Sequence, residues 1–255
     1  MLKVFSNIKL KIGPKIIGGI VILAGLGWFV AKKQWARRCV RIEVTVDDSH
    51  QQFFVSEQSV KRMMTKSGSR KLVGEPLSYI NLKEIEKDIE KHKFVQNAEV
   101  YAGVSGVLFA NVTQNRPIAR IVRPRAKDAY INFDGAILPT SSRFTARVPL
   151  VSGAYANKFV NGKQDEIFEG VMTVLRKLEE DEFLKAQIAQ VDVDKEGRLK
   201  IFPQVGKQIF ELGLPQDIDR KLQKLTWFYE HIYPFKGPNA YKRVSLEFER
   251  QIVCE

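Results

Sequence analysis

An uncharged apolar run near the N-terminus is the feature that most constrains how this chain can fold. The run covers the sixteen residues 16–31 and carries no charged side chain. As a helix it would span about 24 Å, somewhat less than the roughly 30 Å of a bilayer's hydrocarbon core. Lys15 and Lys32 can extend it by reaching to the headgroups. We therefore predict a single transmembrane helix over 16–34 that follows a cytoplasmic tail at 1–15.

A cleaved signal peptide is the alternative reading of this run, because its apolar core is similar. Cleavage after Ala31 would put Phe29 where a small residue is expected, which favours a retained helix. Four basic residues precede the run and five follow it, so charge bias alone does not decide the orientation. A short tail readily stays in the cytoplasm, whereas long following domains translocate largely regardless of charge. We predict a type II orientation.

The net charge of +12 is concentrated around the apolar run. Residues 1–41 contain nine basic residues and no acidic one, and the other 32 basic residues are nearly balanced by 29 acidic residues. The excess can therefore meet anionic lipid headgroups, whereas a nucleic-acid-binding protein would carry it on the folded part. The two cysteines, Cys39 and Cys254, are too few for a disulfide framework or a metal cluster. Both a single bridge and two unrelated thiols are compatible with the sequence.

The first part of the soluble region predicts an α/β unit in the order strand, helix, helix, strand, strand. Alternation over 39–46 predicts a strand, and Ser56 can cap a following helix. A second helix begins like a capping box, with Asn81 as N-cap and Glu84 reaching back to it. Two alternating runs around a glycine-containing break at 98–112 predict a β-hairpin. Together these elements predict a three-stranded sheet with two helices on one face.

The remainder of the chain is β-rich, and with the first unit it predicts an α+β fold. Short apolar or alternating runs predict strands at 129–135, 148–153, 188–193, 198–203 and 208–213. A buried stripe predicts a helix over 165–180, and Asp217 can cap another helix. Alternating Val244, Leu246 and Phe248 predict one half-buried strand over 241–253.

No catalytic or metal-binding motif is visible in the sequence. The three histidines lack ligand spacing, and neither cysteine has a histidine nearby that would activate it. Phosphate-binding glycine loops and hydrolase nucleophile motifs do not occur. Asp192, Asp194 and Glu196 are better explained by a strand that ends in a turn than by a calcium site. We therefore predict no catalytic residue, no cofactor and no metal.

Several phrases, in this order, resemble the FtsQ/DivIB cell-division family. Residues 94–100 (FVQNAEV) resemble a passage of POTRA domains, and residues 114–121 resemble the exit from the POTRA domain in this family. The phrases at 130–139 and 147–153 resemble the start of the FtsQ β domain. One departure is Asn115, which stands where the family usually has arginine.

The resemblance implies a domain organisation, a location and partners. It implies a POTRA domain over 35–117 and an FtsQ-type β domain over 118–255, both periplasmic and held at the bacterial inner membrane and division septum. The protein would be a non-enzymatic scaffold that docks FtsB and FtsL, and through them contacts the septal wall synthases FtsW and FtsI indirectly. The resemblance places partner binding on the last strand, at Tyr241, Arg243, Val244, Ser245, Leu246, Glu247 and Phe248.

Three alternatives to this interpretation stay open. The terminal strand could be paired wholly inside its own sheet, which would leave no edge for a partner. The chain could be a POTRA-containing envelope transport or assembly factor, although no second POTRA repeat and no barrel strands are visible. A membrane-anchored hydrolase is the third alternative, and the missing nucleophile–base pair opposes it.

Overall fold

The computed structural model describes Gly25, residues 37–47 and residues 53–255. The predicted membrane helix at 16–34 lies outside the described residues, apart from Gly25. In the described part of the chain, no helix is long and apolar enough to cross a membrane. Contacts divide the described residues into two units, the first comprising 37–47, 56–92 and 97–113, and the second comprising 53–55, 93–96 and 114–255.

Twelve strands and seven α-helices make up the two units over residues 37–47 and 53–255, and they confirm the predicted α+β class. The strands are β1 (Arg41–Val46), β2 (Val95–Ala102), β3 (Val107–Gln114), β4 (Pro117–Ile121), β5 (Ala129–Asn132), β6 (Ile137–Pro139), β7 (Leu150–Ser152), β8 (Ile188–Val193), β9 (Leu199–Pro203), β10 (Ile209–Gly213), β11 (Arg243–Ser245) and β12 (Val253–Cys254). The helices are α1 (Glu57–Met64), α2 (Leu82–Glu90), α3 (Ala156–Val160), α4 (Glu166–Glu180), α5 (Glu182–Gln187), α6 (Ile218–His231) and α7 (Tyr233–Lys236).

The first unit contains the predicted three-stranded sheet, and its strands lie in the order β1-β3-β2 with β1 parallel to β3. Helices α1 and α2 contribute the buried residues Val60, Met64, Ile85 and Ile89 to its core. The hairpin between β2 and β3 turns at Gly106, which has φ +83°. A Cβ atom there would lie 2.7 Å from the carbonyl oxygen of Arg38, so the close approach of these two backbone segments requires glycine.

The predicted capping box of α2 forms only in part. The Asn81 side chain accepts a hydrogen bond from the Glu84 amide at 3.2 Å, as an N-cap should. The Glu84 carboxylate does not reach back to the cap, and it pairs instead with Lys66 at 2.9 Å and Arg70 at 2.5 Å. Lys66 and Arg70, from the loop before α2, thus bind the Glu84 carboxylate in place of the backbone amide of the N-cap. The spacing of residues in the sequence could not reveal this pairing.

Asp88 is the acidic centre of this ion-pair cluster. Its carboxylate lies 2.7 Å from both Lys91 and Arg70 and 3.4 Å from Lys66. The hydrogen bond from Lys91, with support from Arg70 and Lys66, lowers the pKa of Asp88 to about 2 against the opposing effect of desolvation. Because the pKa is lower in the folded state than the ordinary value of 3.8, this group stabilises the fold above about pH 4 and loses that contribution as pH falls toward 2.

We therefore expect Asp88→Asn to flatten the loss of stability of the first unit between about pH 4 and 2. Urea denaturation midpoints measured across this pH range would check the change in slope. Glu99→Gln, at an exposed position of the same unit, serves as the matched control and should leave the slope as in the parent. Parallel curves for the parent and Asp88→Asn would contradict the prediction.

The second unit is built on a nine-stranded mixed sheet in the order β12-β11-β10-β9-β8-β7-β4-β5-β6. Three neighbouring pairs are parallel, namely β4–β7, β7–β8 and β10–β11. Helices α4 and α6 each bury an apolar stripe in one core with the inner residues of the sheet. The chain between β10 and β11 contains α6 and α7, which is the crossover that a parallel pair requires.

The two helices predicted in the second unit begin in different ways. Helix α4 confirms the prediction at 165–180, and the Asp165 carboxylate accepts the Phe168 amide at 3.1 Å. Asp217 does not cap α6, because its backbone is left-handed (φ +52°) and its side chain binds Arg220 at 2.8 Å. The cap prediction at Asp217 is therefore wrong, since an arginine one turn later takes the carboxylate.

The departure from the family phrase at Asn115 has a structural role inside the second unit. The Asn115 amide nitrogen donates to the Val95 carbonyl at 3.1 Å, and its oxygen accepts from the Asn132 side chain at 3.1 Å. The following Arg116 pairs with the largely buried carboxylate of Glu179 in α4. Within the second unit, the Asn115 side chain thus links the Val95 carbonyl to Asn132, while Arg116 links the start of β4 to α4.

Candidate partner-docking site

The C-terminal end of the large sheet differs from the single strand predicted over 241–253. Strand β11 ends at Ser245, a loop follows, and β12 returns antiparallel to it. Strand β11 is therefore paired on both sides, with β10 and with β12, and in the described residues β12 is the edge strand. The alternation broke down at Phe248, whose side chain is 52% exposed instead of inward-facing.

The predicted contact residues separate into buried and accessible groups. Val244 and Leu246 are fully buried and belong to the core of the second unit. Tyr241 is half-buried, and its ring lies 6.4 Å from that of Phe228 in α6. These three side chains pack against the core of the second unit, so they are not the side chains of the terminal strands that another chain would contact.

The accessible group is dominated by ion pairs along the strand ends. Arg243 binds Glu211 at 2.8 Å and lies 3.5 Å from Glu255. Both carboxylate oxygens of Glu247 accept a hydrogen bond from the Arg198 guanidinium, each at 3.2 Å. Of the remaining two predicted residues, Ser245 is half-buried in β11 and Phe248 is exposed.

The outer side of β12 carries unpaired backbone groups. Glu255 exchanges both backbone hydrogen bonds with Arg243, at 2.9 and 3.1 Å. Cys254, one residue earlier and opposite Val244, is consequently at a non-hydrogen-bonded position of this antiparallel pair. Its N–H and C=O therefore point away from β11. No strand among the described residues pairs with that side, so the edge can accept a strand from another chain.

A mostly apolar cleft lies beside this edge. Its volume is about 470 Å³, and it opens between α6 and the segment that leads into β12. Its lining consists of Lys224, Trp227, Ile232, Arg250, Gln251 and Ile252. The Trp227 ring is 49% exposed and stacks on His231 at a centroid distance of 4.8 Å. A cleft of this kind suits an apolar or aromatic side chain carried by an added strand.

A basic face of α6 fixes the segment between β11 and β12. The Lys224 ammonium donates to the carbonyl of Leu246 at 3.2 Å and also to that of Phe248. Arg220, one turn earlier, binds the Glu249 carboxylate at 3.0 Å. Desolvation lowers the pKa of Lys224, because its ammonium is partly removed from water by these contacts.

The sequence analysis gave no role to Lys224 and Trp227 and did not separate β12 from β11. One signal was present: Arg220, Lys224 and Trp227 recur at spacings of four and three, which puts them on one helix face. Helix α6 was interpreted only through its buried residues, so the face that carries these three residues received no role.

We expect Lys224→Met to weaken partner capture with little change in the stability of the second unit. The methionine keeps the apolar stem but removes the two hydrogen bonds that hold the 246–248 carbonyls, so the approach to β12 should loosen. Binding of a purified partner and a parallel thermal melt would measure the two effects separately. Lys207→Met, at an exposed position away from this loop, is the matched control. Equal capture by the two variants would contradict the positioning role.

The structure gives no support to a metal or thiol chemistry in its described residues. No group of three or more His, Cys, Asp or Glu side chains there could hold a metal ion. Cys39 and Cys254 are free thiols, and burial raises the pKa of each, which disfavours the reactive thiolate. The Asp194 carboxylate accepts the amides of Glu196 and Arg198, both at 2.9 Å, and so closes the turn that follows β8.

Comparisons with known families agree with this architecture. A POTRA-like domain model matches residues 37–113, so this part of the chain is similar to POTRA-like domains. A second model, described as FtsQ/DivIB, C-terminal related, matches residues 116–255, more than half of the chain. The chain therefore belongs to the FtsQ/DivIB family of cell-division proteins, and the resemblance inferred from the sequence is confirmed. A search of the curated proteins gave no match.

Proposed function

We propose that this chain is a non-enzymatic scaffold of the bacterial division septum. In this proposal the helix at 16–34 anchors it in the inner membrane as a type II protein, and both units lie in the periplasm. The second unit docks FtsB together with FtsL, and these connect it indirectly to the wall synthases FtsW and FtsI. Membership of the FtsQ/DivIB family supports the role in division, and the terminal sheet edge supports the docking step.

The observation that carries the docking step is the open side of β12 beside the cleft of α6. An added strand can hydrogen-bond to Cys254, while one of its side chains enters the space between Trp227 and Ile232. Arg250 also lines the cleft, and it can contribute to recognition together with the exposed Phe248 of the preceding loop. The originally predicted Val244 and Leu246 then act as support beneath the edge.

Anchoring explains how modest contacts can suffice for such a scaffold. A chain and partners that share one membrane meet at a far higher effective concentration than they would in free solution. A strand-addition site with few side-chain anchors can therefore hold its partners at the septum without high intrinsic affinity.

Two measurements test the proposal. Full-length chain reconstituted in membranes should capture the purified FtsL/FtsB pair of its own host. Depletion of the chain in that host should give filaments with segregated nucleoids and no septa. Normal division together with no capture would overturn the proposal. Normal septation with defective envelope-protein assembly would favour the transport or assembly alternative.

A further inference from the structure

The end of the first unit nearest the N-terminus is built from three backbone segments. Residues 37–40 lie between two loops and bond to both. The Leu77 amide donates to the Arg37 carbonyl at 2.9 Å, and the Val40 amide donates to the Gly106 carbonyl at 2.8 Å. These bonds bring the loop before α2 and the β2–β3 turn to one end of the unit.

Four exposed apolar side chains occur at this end, and we call them the proximal patch. They are Val40, Val73, Tyr79 and Val104, with exposures of 62%, 48%, 83% and 77%. Val40 belongs to the 37–40 segment, and each of the other three lies within two residues of a hydrogen bond to that segment. Val73, for example, precedes Gly74, whose carbonyl oxygen accepts a hydrogen bond from the Arg38 guanidinium at 2.8 Å. Such clustering differs from the single exposed apolar residues that ordinary surfaces carry.

Basic residues occur on the same segments as the proximal patch and before it in the sequence. Arg38 and Lys71 are exposed on the segments that carry it, and Lys32 and Lys33 precede it in the sequence. The segments 37–40, 71–79 and 103–106 contain a single acidic residue, Glu75. Apolar and aromatic side chains next to the cations Arg38 and Lys71 suit the surface of an anionic bilayer.

The chain length upstream limits where this end can be. Only residues 32–36 separate the apolar run that ends at Ala31 from Arg37. Even in a fully extended chain, the six Cα–Cα distances from Ala31 to Arg37 span at most about 20 Å. If the run crosses the bilayer, the proximal patch is held close to the headgroup region.

We infer that the proximal patch rests on the anionic outer surface of the same membrane, with Tyr79 and Val104 at headgroup level. This inference rests on the proposed membrane anchor and goes beyond the docking function of the second unit. The basic residues face anionic headgroups, and the tyrosine suits the interface with its apolar ring and polar hydroxyl. A second contact besides the anchor fixes which way the first unit faces.

Depth-dependent quenching on the full chain in vesicles tests the inference. Val104→Cys carries an environment-sensitive fluorophore, in a Cys254→Ser background where the remaining Cys39 is buried. The vesicles contain phosphatidylglycerol and lipids with a spin label near the headgroup. We expect a blue-shifted, strongly quenched label at 104, with quenching reduced in phosphatidylcholine alone, at high salt, and by Lys71→Glu.

Asn111→Cys is the matched control, because it is exposed on β3 at roughly 13 Å from Val107. Its label should stay unquenched.

Equally weak quenching at both positions, in a chain that floats with the vesicles and resists alkaline extraction, would overturn the inference and leave the proposed membrane anchor intact. Failure to float would overturn both. Protection of position 104 that disappears on dilution of the protein would assign the patch to a second copy instead. Capture of FtsL/FtsB is read independently of all these results.

Discussion

Replacement of Cys254 by proline should abolish or strongly weaken capture of the FtsL/FtsB pair while the second unit stays folded. Proline removes one outward N–H, and its ring blocks the approach of an added strand along β12. The lost hydrogen bond alone corresponds to about tenfold in Kd, and the steric block adds to that loss. The fold is retained because the Cys254 amide does not take part in the pairing with β11.

Two companion variants make this result specific to the edge. Cys254→Ser keeps the backbone donor and should capture the pair nearly as well as the parent. Val253→Pro removes an inward amide that faces Ser245, so it should lower the thermal stability of the second unit as well. Binding isotherms with a circular dichroism melt for each variant would separate the cases. Undiminished capture by a folded Cys254→Pro variant would exclude strand addition at β12.

Phe210→Ala should be the most destabilising single change near the docking site. The Phe210 side chain is fully buried in β10, and its ring lies 5.3 Å from that of Phe228 and 5.6 Å from that of Tyr229. Truncation of a buried phenylalanine costs about 3–5 kcal/mol, because apolar contacts are lost and a cavity remains. Since these rings join α6 to the strand that pairs with β11, the loss reaches the docking edge.

The exposed Phe235 offers the matched control for this change. Its side chain is 83% exposed in α7, so Phe235→Ala should change the free energy of unfolding by no more than about 0.5 kcal/mol. Chemical denaturation of both variants against the parent gives the two values. Similar costs for the two substitutions would show that the aromatic cluster does not carry the packing assigned to it.

The sequence predicted correctly those helices and strands whose own residues show which face is buried. The hairpin at 98–112 and the helix at 165–180 formed as expected, because alternation and a helical stripe each specify one buried face. The parallel pairs β4–β7 and β7–β8 could not be predicted in this way. Their partners are distant in sequence, so only the assembled core selects them.

The single strand predicted over 241–253 is in the structure two strands, β11 and β12, joined by a loop. Residues 246–252 contain no glycine or proline to mark a turn, so the alternation through Val244 and Leu246 was extended too far. The actual loop is held from outside by Lys224, which binds two of its carbonyls. A turn stabilised by a side chain from another element leaves no local signal in its own sequence.

The shortness of β12 also bears on how the protein behaves when its partners are absent. An exposed sheet edge is ordinarily an aggregation hazard, because any extended chain can add to it. Here only two residues lie in the edge strand, and the charged side chains of Arg250 and Glu255 stand near its ends. Two copies placed edge to edge would gain few backbone hydrogen bonds, because each copy contributes a strand of only two residues. This edge is therefore too short to bind an arbitrary extended chain firmly, and we expect the second unit to resist aggregation through it.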